Sequence, residues 1–134
     1  MKTKATLELS DVKAIASAAE AEAQKNNWAV TIAIVDDGGH LIYLERMDGT
    51  QKASSTIAPE KARTAILFKR PSAALETAVS DGRVGLVTMP IATMVEGGLP
   101  IVWRDQFVGA IGISGLTSQQ DGLVAKAGLA GLPA

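Results

Sequence analysis

The chain has no cysteine, a single histidine, and only two tryptophans, one tyrosine and two phenylalanines in 134 residues. Each shortage excludes something. Without cysteine there is no disulfide, thiolate metal centre, iron–sulfur cluster or thiol nucleophile. One histidine rules out multi-histidine metal sites, so any imidazole chemistry has to use His40. Ser114 and Thr117 have no histidine and acid placed beside them, which argues against a serine-nucleophile triad. No charge of one sign dominates: 13 basic against 14 acidic residues give a net charge of −1. Neither nucleic acid nor an anionic membrane surface is therefore an expected partner. No apolar run approaches the roughly 18 residues of a membrane span. The opening MKTKATLELS lacks the apolar stretch of a secretory signal, so a cytoplasmic protein is expected.

What is present is small and aliphatic. Apolar residues make up 47% of the chain, and the mean hydropathy is +0.19. With few aromatics, the interior has to be built from Ala, Val, Ile and Leu. The length fits one domain, residues 1–134. A domain of this size cannot hide so much apolar surface alone, which predicts a homo-oligomer.

Periodicity divides the chain into alternating helices and hairpins. Val12, Ile15, Ala16, Ala19 and Ala23 follow helical spacing over about 10–26, with Ser10 or Asp11 as cap. Val30–Val35 and His40–Arg46 flank Asp36-Asp37-Gly38-Gly39, the pattern of a β-hairpin. A helix follows over about 54–69, with its regular part expected from Ala58 because of Pro59, and a short one over 72–79. Residues 83–98 have no clear period. Leu99–Trp103 and Phe107–Ser114 form a second hairpin, with glycines suited to close backbone or ligand approach, and a last helix covers about 118–128. The order predicts an α+β domain with an antiparallel sheet flanked by helices.

Several residues are candidates for chemistry. His40 stands beside the first hairpin turn, where it either ligates or bases a substrate, or simply bonds the turn backbone. Lys61 shares an otherwise apolar helix face with Ile57, Thr64, Ala65 and Phe68. A lysine there points to a pocket in which an ammonium meets a carboxylate or a substrate oxygen, or else to a subunit boundary. Arg63 lies on the opposite face, where it can contact a ligand or only pair with Glu60. Glu96-Gly97-Gly98 enters a strand; its amides could cradle an anion, and Glu96 places a carboxylate beside them. Asp36, Asp37 and Glu45 do not specify a metal site, so no metal is assigned.

Taken in order, Val35-Asp36-Asp37-Gly38-Gly39-His40-Leu41, Glu45-Arg46-Met47-Asp48-Gly49, Lys61-Ala62-Arg63-Thr64-Ala65, Gly97-Gly98-Leu99-Pro100-Ile101, Val108–Gly115 and Asp121 resemble the GlcG/HbpS family of haem-binding and glycolate-utilisation-associated proteins. The resemblance spans about residues 7–129. The same domain forms the C-terminal part of some propanediol-utilisation cobalamin adenosyltransferases. The resemblance implies a profilin-like α+β fold, dimer-based oligomers that are often octamers, and haem as a cofactor in some members. Two departures stand out. Gly122 follows Asp121 where the family often has an acid, and Glu96 precedes the glycine pair where the family commonly has proline. The N-terminal region also lacks the histidine that some members use for haem.

Two functions follow as expectations. One is an oligomeric domain holding a small ligand, haem or another tetrapyrrole, with His40, Arg63, Gly97, Gly98 and Ser114 as candidate contacts and an accessory role in metabolism or redox response. The other is a cofactor-independent isomerase, lyase or hydrolase for a small organic acid. There Lys61 polarises the substrate oxygen and Glu96 transfers the proton. A purely structural partner of a metabolic enzyme is the third possibility.

Overall fold

In the computed structural model, which describes residues 1–134, the first periodic segment is helix α1, Leu9–Lys25. Its cap is Glu8 rather than Ser10 or Asp11. Asp11 acts one turn in, where its Oδ2 accepts the Glu8 amide at 2.9 Å. All five apolar positions of the stripe are buried. Strands β1, Thr31–Asp36, and β2, Leu41–Arg46, form the first hairpin. Helix α2 runs from Ser54 to Leu67, one turn earlier than the proline suggested. Pro59 removes only the bond that would run to the Ser55 carbonyl, a cost confined to the second turn. Helix α3, Ser72–Ser80, and a 3₁₀ turn, Val84–Thr88, precede the hairpin of β3, Gly98–Trp103, and β4, Gln106–Ser114. Helix α4, Ser118–Leu129, closes the fold behind a capping box of Thr117 and Gln120.

The sheet is antiparallel throughout, in the order β2-β1-β4-β3, so the two hairpins meet along β1 and β4. The architecture is α+β. One sheet face carries Ile32, Ile34, Ile111 and Ile113, packed against Val12, Ile15 and Ala19 of α1 and Val124 and Ala125 of α4. The other face is nearly flat. Val35 and Ala110 meet Ala62, Ala65 and Ile66 of α2.

The flatness has a specific cause. Gly98 and Gly112 are direct cross-strand partners beneath α2. A Cβ on Gly98 would lie 2.1 Å from the Lys61 carbonyl oxygen, and one on Gly112 would lie 2.0 Å from that of Ala58. The helix therefore rests on the main chain of the strands. Of the β4 glycines that the sequence marked for close approach, Gly112 serves helix packing here, while Gly109 meets the Val35 carbonyl and Leu7; the contact at Gly98 and Gly112 carries Lys61 into the interior.

Candidate functional site

Lys61 lies on the sheet side of α2 and is 2% exposed. Its Nζ donates to Asp121 Oδ2 and to the Ile113 carbonyl, each at 3.0 Å. Asp121, also 2% exposed, comes from the first turn of α4, and its Oδ1 accepts the Leu116 amide at 3.1 Å. Burial pushes the Asp121 carboxyl above its ordinary range, against the pull of Lys61 and the Leu116 amide. The lysine stripe thus does hide an ammonium that meets a carboxylate. That carboxylate belongs to the same chain, and the pair ties α2, β4 and α4 together. Of the partners expected for Lys61, the structure supplies the carboxylate, and within the single chain the side chain is enclosed.

The glycine loop wraps this pair. Gly97 takes φ +134°, and a Cβ there would lie 3.0 Å from Lys61 Nζ. The Gly98 amide donates to Ser72 Oγ at 2.9 Å, and Ser72 donates to the Val95 carbonyl at 2.6 Å. The Gly98 amide is therefore already engaged and is not free for an anion. Glu96 is half-buried beside α4: a Cβ on Gly122 would lie 2.4 Å from its Oε2. The two departures from the family pattern, at 96 and 122, are one feature in space, since the Glu96 carboxylate fills the room that a side chain at 122 would need. Ser114 follows Ile113 at the end of β4 and is buried opposite Thr31.

The remaining candidates gather at the first hairpin turn. Asp36 Oδ1 accepts the amides of Gly38 and His40, each at 2.9 Å, and lies 3.3 Å from His40 Nδ1. Burial alone would raise the Asp36 carboxyl, but these amides and the imidazole outweigh it and hold it below its usual value. The His40 side chain is 83% exposed. Arg63 runs under the same turn, with its Cγ 2.9 Å from where a Gly39 Cβ would be, and its guanidinium reaches Glu60 at 3.9 Å. The structure thus brings His40 and Arg63 together and separates them from Lys61 and Glu96.

Sequence reasoning missed the α1–β2 contact. Glu45 faces Glu20 there, and Tyr43 donates to Glu45 Oε1 at 3.4 Å. Burial and the Glu20 charge raise the Glu45 carboxyl. Asp36, Asp37 and Glu45 are dispersed: Asp36 holds the turn, Asp37 pairs with Lys4, and Glu45 lies on the far side of the sheet hairpin. Two surface clefts, of about 330 and 420 Å³, lie at the chain termini with Trp103 and at Lys69 with Phe107. Neither is lined by Lys61, Glu96 or Ser114.

Fold and site define a small antiparallel α+β domain whose buried Lys61 is locked in an internal ion pair and whose one histidine is exposed. The chain belongs to the HbpS-like family, described as "Haem degrading protein HbpS-like", whose model matches residues 7–130. Protein GlcG of Escherichia coli K12 is 50% identical over 114 residues, 85% of each chain. Among solved structures, an HbpS double mutant of Streptomyces reticuli superposes with a TM-score of 0.91 at 28% identity, over 100% of this chain and 92% of that one. A PduOC–haem complex superposes with a TM-score of 0.87 at 27% identity, over 95% of each. No helix is long and apolar enough to cross a membrane.

Proposed function

We propose that this chain is a haem- or tetrapyrrole-binding domain that works as a homo-oligomer, in an accessory metabolic or redox role. The observation that carries the reading is the His40 turn. Asp36 Oδ1 lies 3.3 Å from Nδ1 of a side chain that is 83% exposed, a carboxylate–imidazole arrangement of the kind that orients histidine ligands to metals. Arg63 beneath the turn supplies a guanidinium for a ligand carboxylate. The residues present therefore fit the group: His40 would ligate the iron and Arg63 would pair with a propionate. Bound haem would supply redox and diatomic-ligand chemistry. His40 is too exposed to shield a porphyrin alone, which suits a pocket completed by a second subunit. The similarity to a haem complex across 95% of the chain supports the same reading.

Titrating the untagged protein with hemin tests it. A sharp, shifted Soret band that saturates at a fixed ratio per subunit is expected, and His40→Ala should abolish it. A broad, non-saturating change would refute specific binding, and an unchanged band in His40→Ala would refute the ligand assignment.

A second reading, catalysis on a small organic acid by Lys61 and Glu96, has one observation in its favour: both side chains flank Gly97-Gly98 and α4. The engagement of the Lys61 ammonium by Asp121 and Ile113 weighs against it.

A further inference from the structure

The chain has five non-glycine residues at positive φ, and two of them, Lys69 at 52° and Asp105 at 64°, line one cleft. Both sit where the local motif favours glycine. Lys69 stands just past the end of α2. Its amide donates to the Ile66 carbonyl at 3.2 Å and the Arg70 amide to that of Ala65 at 3.1 Å, the closure that glycine usually completes. Asp105 is the second residue of the two-residue turn between β3 and β4, and Arg104 before it is also left-handed, at 46°. A left-handed backbone is strained under a side chain, and such strain gathers where the side chain is used.

The cleft measures about 420 Å³, within the roughly 300–1,000 Å³ of small-molecule sites. Its apolar part is Ile66, 4% exposed, and the half-buried Phe107, whose ring centroid lies 5.6 Å from Lys69 Nζ. Lys4 and Asp37, which also line it, pair with each other and cancel. Lys69 and Asp105 enter no ion pair, with each other or with any other residue. Gln106 Oε1 accepts the Ala5 amide at 2.8 Å, which leaves its Nε2 donors open. The cleft at the termini offers no such set, because Glu8 and Asp11 there are spent on capping α1. Neither His40 nor Arg63 lines the Lys69 cleft, so it stands apart from the haem reading.

We propose that this cleft binds a small zwitterion of the α-amino-acid type, with its carboxylate on Lys69 Nζ and Gln106 Nε2 and its ammonium on Asp105. The unpaired charges are one of each sign. A simple anion placed here meets the Asp105 carboxylate, and a simple amine meets the Lys69 ammonium, so each is opposed by one wall. A ligand that carries both signs satisfies both walls. Phe107 and Ile66 give its side chain an apolar seat. The strained backbone then has a reason. Glycine at 69 or 105 would suit the main chain and would lose a charged contact to the ligand.

Equilibrium dialysis of the whole chain against radiolabelled glycine and leucine tests the proposal. Saturable retention at micromolar to millimolar concentration is expected, with one molecule bound per subunit. Unlabelled isocaproate, which lacks the ammonium of leucine, and isopentylamine, which lacks its carboxylate, should not displace the label. Lys69→Gly and Asp105→Gly should each weaken binding by roughly tenfold or more, the loss of one charge-assisted contact. Glycine suits both backbones, so both variants should melt no lower than wild type, and a lost signal is then not lost folding. Retention of neither amino acid at millimolar concentration would overturn the proposal. Displacement by either analogue as strong as that by unlabelled leucine would overturn the zwitterion class. Binding unchanged in both variants would overturn the assignment to this cleft. A variant that melts well below wild type would show that its side chain serves the fold, and would overturn its role in the site.

Discussion

Replacing Lys61 with methionine removes an ammonium and little volume, so the outcome reports on charge. Lys61 and Asp121 are both 2% exposed. The substitution leaves the Asp121 carboxylate in the interior with only the Leu116 amide, and takes a donor from the Ile113 carbonyl. Breaking such a pair by removing one partner costs about 3–5 kcal/mol, a large share of the ~5–15 kcal/mol that holds a domain folded. At roughly 3–5 °C per kcal/mol for this length, the melting temperature should fall by about 10–20 °C. Urea unfolding and a thermal scan measure both quantities. The deficit should depend on pH with a definite sign. Burial already places the folded Asp121 carboxyl above its unfolded value, and loss of Lys61 raises it further. The folded variant then binds more protons than the unfolded chain, so its stability falls as pH rises through that window. The deficit is largest at neutral pH and shrinks below about pH 4, where the acid is neutral. Adding Asp121→Asn, which keeps an acceptor for Leu116, should recover most of the loss. A single variant within about 1 kcal/mol of wild type at pH 7 would refute the enclosed pair and reopen Lys61 as a substrate-facing group.

Two further substitutions probe the packing and the acid pair. Gly112→Ala pushes a methyl group into the Ala58 carbonyl, a backbone atom that cannot rotate away; a loss of about 3 kcal/mol or more in urea unfolding is expected, and a neutral result would show that α2 does not rest on the strand. Glu45→Gln removes the repulsion from Glu20. Because the folded Glu45 carboxyl is raised, wild type loses stability as pH rises past its ordinary range, so the variant should be more stable at pH 7 by up to about 1 kcal/mol. That advantage should vanish below about pH 4; one that persisted in acid would point to packing instead.

The hairpins and the stripe of α1 were legible because each rests on local period and turn chemistry. Asp36-Asp37-Gly38-Gly39 turns where its residues demand, and Asp36 caps the turn with its own carboxylate. The 3₁₀ turn Val84–Thr88 and the segment that follows it to Val95 were not legible, since they follow no period and most of their apolar residues are exposed. Lys61 was legible as an anomaly, a cation on an apolar face. Its partner, 60 residues away, could be assigned only once β4 and α4 had brought Asp121 to it. Gly97-Gly98 was read as an anion cradle, and the glycines of β4 as places for close backbone or ligand approach; Gly98 and Gly112 prove to be such a place together. What approaches is the main chain of α2, and single-chain spacing cannot distinguish that from a ligand.

Where α2 crosses Gly98 and Gly112, its carbonyls lie against the main chain of the strands, with no side chain between them that could swing aside. A fluctuation there has to lift the helix as a whole, releasing the Lys61 bridge with it. The amides of β1, β4 and the middle of α2 are therefore expected to exchange with deuterium only when the entire domain opens. The same rigidity limits what sequence change can make of this scaffold. A new pocket cannot be carved beneath α2 at that crossing without undoing the fold, so sequence change that leaves it intact falls on the hairpin turns, the exposed residues between Val84 and Val95 and the outer faces of the helices.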